Sequence, residues 1–306
     1  MKEKQISRML MNLNSERIFY KSLYEKNISK KNILNNAITY VLSGNIGYIW
    51  NKFANLKRSD INLAIETQMH KEIVSQERLV IYTVMFGKYD VLCEPIFITE
   101  KCDYYIITDQ EVPMDSVWKK YPLKRSYKDL LNKYGNLELA RYFKTHPHEL
   151  FKDYKYSMFI DANVQIVADM RPVFSKLGTN FIAIHLQPGR DCIYQEANAV
   201  IALNKGNKRE VKRQIENYKN EKFPKHFGLF QTNIMIREHN TKQCIELMEK
   251  WWSEIKNHTK RDQLSFTYCL WKMGYNMDNV SILGSNSMEN PRFWIKCHKK
   301  VNRLEL

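Results

Sequence analysis

The chain has 306 residues, 44% of them hydrophobic and 12% aromatic, enough for one large core with an appendage but not for two full enzymes. Ten glycines, eight prolines and no repeat or low-complexity tract exclude long disorder, and no apolar run reaches the ~18 residues needed to span a bilayer. The net charge of +15 suits an anionic partner, or simply a lysine-rich solvated surface; zinc-finger spacing, an RNP-like aromatic strand and a helix-turn-helix are all missing, so no nucleic acid is expected.

The N-terminus lacks the charged-then-apolar layout of a signal peptide. The six cysteines (Cys93, Cys102, Cys192, Cys244, Cys269, Cys297) are scattered without a CxxC pair and read as reduced thiols. A cytoplasmic protein is expected, with the inner face of the membrane as a peripheral location.

Residues 1–76 show helical stripes and no strand patterning. Leu34, Ala37, Ile38, Val41 and Leu42 share one helical face; after Gly44 and Gly47, Tyr48, Ile49, Trp50, Phe53 and Leu56 resume the stripe beside Lys52, Lys57 and Arg58. This predicts a helical appendage. Its basic, aromatic face suits an acidic membrane surface, and the same stripe packs equally well in a homodimer or on the catalytic domain, the reading preferred for Trp and Phe at this spacing.

At Arg78 the character changes. Residues 79–86 form a β-branched and aromatic run ended by Gly87, as a strand buried on both faces requires. A second strand at 104–108 ends in Asp109, and a helix is expected over 136–144. Further strands are expected at 156–160, ended by Asp161, and at 181–184 and 233–236. Helices follow over 196–203, 208–218, 241–256 (with Cys244, Leu247, Met248, Trp251 and Ile255 on one face) and 264–273. Strands alternating with helices predict a mostly parallel sheet in an α/β domain over 77–306. Ligands of such sheets sit beyond the carboxyl ends of the strands, where Gly87, Asp109 and Asp161 converge.

Asp161 and Asn163 close an apolar strand two positions apart. In an extended segment both oxygens face one hard cation, Mg²⁺ or Mn²⁺; as a bare pattern, turn capping explains the pair as well. Asp262 opens a helix, as an N-cap or as a carboxylate aimed into a cleft with Gln263. Arg190-Asp191 begins a helix in the same way. Arg141 and Lys144 share a helical face suited to phosphate oxygens or to solvation. His146 and His148, flanking Pro147, have no metal partner in the sequence and read as loop-ordering residues. His298 stands in the C-terminal tail. Phosphate loops, G-x-S-x-G and H-E-x-x-H are missing.

Taken in order, Ile81-Tyr82-Thr83 through Phe86-Gly87, Cys102-Asp103-Tyr104 through Thr108-Asp109, Arg141 and Lys144, His148, Phe159-Ile160-Asp161-Ala162-Asn163, His185 through Arg190-Asp191-Cys192, Trp251-Trp252 and Arg261-Asp262-Gln263-Leu264 are similar to a known set. Over about residues 78–300 the chain resembles the glycosyltransferase-like family formerly called domain of unknown function 616, with plant mucilage-related and bacterial surface-polysaccharide members. The resemblance implies a GT-A-type fold and transfer of a sugar from a nucleotide-diphosphate donor, UDP-sugar first, to a glycan or lipid-linked acceptor. It implies Mn²⁺ or Mg²⁺ held by Asp161, Asn163 and His298. Tyr82, Thr83, Phe86, Gly87 and Asp109 would hold the nucleoside, and Arg141, Lys144, Arg190 and Asp191 would complete the donor site. Asp262 and Gln263 would meet the donor sugar at the reacting face, with retention favoured over inversion. The chain departs from the family's D-x-D pattern in carrying Asn at position 163. Two other classes stand beside the enzyme: a non-catalytic scaffold of polysaccharide assembly, and a basic nucleic-acid binder resting on charge alone.

Overall fold

A computed structural model of the chain describes residues 77–296, apart from 88, 89, 91, 124 and 125. The predicted appendage over 1–76 and His298 lie outside the described residues.

The expected α/β architecture is the one found. Seven strands make the main sheet: β1 (Leu79–Met85), β2 (Cys102–Thr108), β3 (Lys119–Lys120), β4 (Ser157–Ile160), β6 (Ile182–Leu186), β7 (Phe230–Arg237) and β8 (Ser281–Ile282), in the order β3-β2-β1-β4-β7-β6-β8. Every pairing is parallel except those of β7, which runs against β4 on one side and β6 on the other. A two-stranded ribbon, β5 (Val164–Ile166) with β9 (Phe293–Ile295), lies outside it.

Both faces of the sheet are buried, which is why its strands read as continuous apolar runs rather than alternating ones. Val80, Tyr82, Phe159, Ile184 and Met235 serve one core, while Leu79, Ile81, Met158, Ile160 and Ile236 serve the other. The first face carries the long helices: α1 (Ser126–Thr145), α4 (Ile193–Ala202), α5 (Lys208–Asn220), α6 (Lys242–Asn257) and α7 (Gln263–Lys272), with α2 (Pro147–Leu150) after α1. The second face is covered by the short α3 (Arg171–Ser175) and the β5–β9 ribbon.

The stripe expected on α6 is buried as read, with Trp252 added to Cys244, Leu247, Met248, Trp251 and Ile255. The helix expected over 136–144 is the second half of α1. Gly135, at φ 69° and ψ 174°, breaks α1 in a conformation that favours glycine, and a further half precedes it. β7 begins three residues before the expected 233, because Phe230, Gln231 and Thr232 pair or pack despite their mixed polarity. β3, β5, β8, β9, α2 and α3 were not expected. Each spans five residues or fewer, too short for periodicity to register. Cys93, Cys102, Cys192, Cys244 and Cys269 are free thiols, as expected, and Cys297 lies outside the described residues. Among the described residues no helix is long and apolar enough to cross a membrane.

Candidate active site

The site is built where β4 ends, β7 begins and α1, α6 and α7 converge. Lys144, in the last turn of α1, is fully buried and sends its Nζ to Asp262 Oδ2 at 2.5 Å. Arg141, one turn earlier, places its Nη1 3.5 Å from the same oxygen, and Thr232 donates its hydroxyl to it at 3.1 Å. The Lys144 ammonium also lies 4.8 Å from the centre of the Phe159 ring and 5.7 Å from that of Trp251. Desolvated cations of this kind are attracted to ring faces.

Burial by itself would push the Asp262 carboxyl up. The Arg141 and Lys144 charges, the Lys144 hydrogen bond and the Arg261 charge outweigh it and hold Asp262 well below the usual carboxylate range. Burial pulls the Lys144 ammonium down from its ordinary value, against the Asp262 and Asp161 carboxylates. Asp262 therefore stays ionised with two cations on one oxygen. It precedes α7 in helical geometry and its side chain makes no capping hydrogen bond, so the N-cap reading of the sequence does not hold; the carboxylate turns into the cluster instead. Its backbone carbonyl accepts the Trp251 indole N–H at 2.9 Å, tying α6 to the start of α7. Gln263 donates its amide to Gln187 Oε1 at 2.9 Å and to the Phe230 carbonyl at 2.8 Å, which fixes its orientation.

Asp161 and Asn163 do not lie in an extended segment. The Val164 N–H donates to the Asp161 carbonyl at 2.9 Å, so residues 161–164 form a turn between β4 and β5. Asn163 is buried and donates its Nδ2 to the Lys296 carbonyl at 2.8 Å, which anchors the end of β9 to the turn. Opposite the turn, the Asp161 N–H donates to the Asn233 carbonyl at 2.9 Å. Here β7 bulges: Ile184 of β6 pairs with Met235 but His185 pairs with Gln231, leaving 232–234 looped out of that ladder. Bulges re-aim side chains. This one delivers Thr232 to Asp262, and Asn233 to the Ser287 hydroxyl at 3.0 Å. The Asn233 Oδ1 is buried without a hydrogen-bond partner.

Of the three strand-end residues, Gly87 and Asp109 meet. The Gly87 N–H donates to Asp109 Oδ1 at 3.1 Å, joining the ends of β1 and β2, and Gln110 donates to the Gly87 carbonyl. Gly87 has φ +66°, and a Cβ there would meet Asn136 at 2.9 Å, so the tight turn at the strand end suits glycine alone.

Tyr82, Thr83 and Phe86 are buried in the core. Tyr82 donates its hydroxyl to the Lys144 carbonyl at 2.9 Å, and Arg237 reaches the same carbonyl at 2.7 Å and the Tyr82 oxygen at 2.6 Å. These two side chains satisfy the open carbonyls at the end of α1, which a buried helix terminus requires. Tyr82 thus supports the site from beneath, a correction to its expected nucleoside contact: it has no exposed surface to offer a ligand. Phe86 packs on Phe143, with ring centres 6.0 Å apart. Thr83 Oγ1 is buried without a partner.

Arg190 and Asp191 do not begin a helix. They lie in the loop before α4, whose N-cap is Cys192. Arg190 pairs with Glu196 at 2.6 Å and Asp191 with His226 at 2.8 Å, a separate contact set from the Asp262 cluster. The surface recess lined by Lys152, Asp153, Tyr154, Lys155, Glu238 and Asn240 lies before β4 and after β7, at the opposite end of these strands from Asp161.

The residues that sequence reading missed are Thr232, Asn233 and Ser287. The signal was the polar triplet Gln231-Thr232-Asn233 interrupting an apolar strand; its meaning depended on the bulge.

A family model described as TOD1/MUCI70, glycosyltransferase-like domain, matches residues 133–290, just over half of the chain. The probable hexosyltransferase MUCI70 of Arabidopsis thaliana is 28% identical over 137 residues, which is 39% of this chain and 22% of that protein. The chain therefore spans about a fifth of the length of that curated relative. Among solved structures, the apo bifunctional glycosyltransferase WbbM aligns over 70% of this chain and 40% of its own, with 14% identity and a TM-score of 0.39. Apo mouse xyloside xylosyltransferase 1 aligns over 67% of this chain and 84% of its own, with 7% identity and a TM-score of 0.37. The matched span 133–290 contains Arg141, Lys144, Asp161, Asn163, Thr232, Asn233, Asp262 and Gln263, so the whole buried ion cluster lies inside it. The chain belongs to the TOD1/MUCI70 glycosyltransferase-like family.

Proposed function

We propose that this protein is a glycosyltransferase that moves a sugar from a nucleotide-diphosphate donor, UDP-sugar first, to a glycan or lipid-linked acceptor of a surface polysaccharide. The observation that carries the reading is the buried Lys144–Asp262–Arg141 cluster at the strand ends beside Asp161, within a family described as glycosyltransferase-like. Buried ion clusters contribute little net stability, because desolvation offsets attraction. This one is better explained by what it does to a substrate.

Arg141, Lys144 and Arg261 against Asp161 and Asp262 leave three positive charges and two negative, a net +1 whose field would favour a departing diphosphate. The Asp161 carboxylate is assigned to a hard divalent ion, with the side-chain oxygens of Asn163 and of Asn233, whose Oδ1 is buried without a hydrogen-bond partner, as its candidate further donors. Mn²⁺ or Mg²⁺ held there would supply charge neutralisation for the diphosphate leaving group. Gly87 and Asp109, at the joined ends of β1 and β2, are assigned to the nucleoside. Asp262, held ionised far below neutrality, is a poor general base. Its role in this reading is to orient the donor sugar and to offset positive charge at the sugar carbon. Gln263 presents its Oε1 away from the two acceptors that fix its amide. An inverting reaction needs a carboxylate that removes the acceptor proton, so retention is favoured.

Calorimetry of UDP with and without Mn²⁺, on the wild type and on Asp161→Ala, tests this. UDP should bind, Mn²⁺ should tighten it at least ~10-fold, and Asp161→Ala should lose that enhancement together with at least ~100-fold in transfer rate. A chain that binds no nucleotide diphosphate with metal present is a scaffold and not a transferase.

A further inference from the structure

The sequence offers His146 and His148 no metal partner, but the fold brings two. Glu249, on α6, places its Oε1 3.4 Å from His146 Nε2 and 3.1 Å from His148 Nε2. Glu149 joins from α2, and single ligand atoms of His146, Glu149 and Glu249 all lie within 4.8 Å of one another. We propose that His146, Glu149 and Glu249, with His148 at the rim, form a binding site for a divalent transition-metal ion, Zn²⁺ first, that pins α2 to α6.

The backbone fixes the His146 tautomer. Its Nδ1 lies 2.6 Å from the Tyr142 carbonyl, which can only accept, so Nδ1 carries the proton. Nε2 then presents a bare lone pair to the Glu249 carboxylate at 3.4 Å, two acceptors facing each other. Such a contact needs either a proton or a cation between them. The His146 ring is buried, a setting that disfavours a charged imidazolium.

The surroundings match what metal-bound histidines show elsewhere: the second ring nitrogen held by a carbonyl, which fixes ring orientation. Tyr142 stacks on the His146 ring, with centres 4.0 Å apart, and donates its hydroxyl to Glu149 at 2.7 Å, so one residue orients two ligands. His148 is nine-tenths buried and donates from its Nε2 to Glu249 Oε1 at 3.1 Å, so it holds the Glu249 carboxylate in place at the rim. Imidazole with carboxylate selects Zn²⁺ and its neighbours over Mg²⁺, which takes an all-oxygen shell. The half-exposed Glu249 gives an ion a path in.

The site is independent of the Asp161 centre and its test separates the two. The full chain, stripped with a chelator and desalted, is titrated with Zn²⁺ by calorimetry. One equivalent should bind at micromolar affinity or better, and ~100-fold excess over Kd should raise Tm by roughly 5 °C. Glu249→Gln and His146→Gln should each weaken binding at least ~10-fold, the loss that even outer-shell partners cause. Asp161→Ala should leave it unchanged. Glu149→Gln alters an exposed side chain and keeps the test open if the buried histidine variant fails to fold. No Zn²⁺ binding by the wild type, equal binding by Glu249→Gln and Glu149→Gln, or binding lost only in Asp161→Ala would each overturn the proposal.

Discussion

Lys144 and His146 stand two residues apart at the end of α1, yet their surroundings treat charge in opposite ways. Around Lys144 the carboxylate is enclosed: Asp262 is 7% exposed at its side chain and surrounded by cations that keep it ionised. Around His146 the carboxylate is at the surface: Glu249 is 49% exposed, and the buried partner is a neutral ring. A backbone turn separates them, because the Lys144 carbonyl is held by Tyr82 and Arg237 while Pro147 starts a new helix. The difference teaches that burial decides which member of an acid–base pair must be charged. An enclosed carboxylate has no water to fall back on and so requires its cations. A surface carboxylate is solvated and can await a ligand.

The comparison is broken most severely by Asp262→Ala. It strands the buried Lys144 ammonium, and loss of one member of a buried pair costs ~3–5 kcal/mol. Urea denaturation should show an unfolding free energy lower by that amount, whereas Glu249→Ala should change stability by less than ~1 kcal/mol in metal-free buffer. Asp262→Asn should keep nucleotide-diphosphate affinity and lose transfer rate. Equal loss of nucleotide affinity would show that Asp262 belongs to the nucleotide and not to the sugar.

A second effect, of intermediate size, appears on acidification. Burial lowers His185 to about 3 and His239 to about 4. The unfolded chain takes up their protons below ~6.5, the folded chain does not, and stability falls as pH drops from ~6.5 toward those values. Each contributes a slope of up to ~1.4 kcal/mol per pH unit. Asp262 has a depressed folded value, so its stabilisation is complete above its unfolded value near ~3.9 and is lost only below that. On acidification from pH 7, denaturation midpoints should therefore fall first through the histidine window. A stability curve flat from pH 7 down to 4 would contradict the buried neutral histidines.

Among variants of the candidate active site, the smallest effect expected is that of Asn163→Asp. An added carboxylate oxygen should raise Mn²⁺ affinity, but it removes the Nδ2 donor that holds the Lys296 carbonyl and should cost ~1–2 kcal/mol. Tighter Mn²⁺ binding with a lower Tm is the expected pair of readouts. An unchanged Tm would mean that the end of β9 does not depend on this bond.

Sequence by itself determined the elements whose pattern repeats along the chain. Leu79–Met85 and Ile182–Leu186 read as strands because both faces are buried, and Lys242–Asn257 as a helix because one face is. The ordered motifs also carried the family resemblance, and the placing of Gly87, Asp109 and Asp161 just after β1, β2 and β4, three strands that run parallel, followed from the apolar runs they end. The tertiary structure alone decided which side chains meet. Asp262 lies 118 positions from Lys144, Glu249 101 positions from His148, and Tyr82 62 positions from the carbonyl it caps. No local propensity encodes such pairs, since they are set by how helices pack on a twisted sheet and by one bulge in β7. Tyr82 and Asn163 are the sharpest cases: a strand aromatic became the cap of a distant helix, and a motif amide became the anchor of a ribbon. In both, a buried polar group had to find a partner, and the partner nearest in space was far away in sequence.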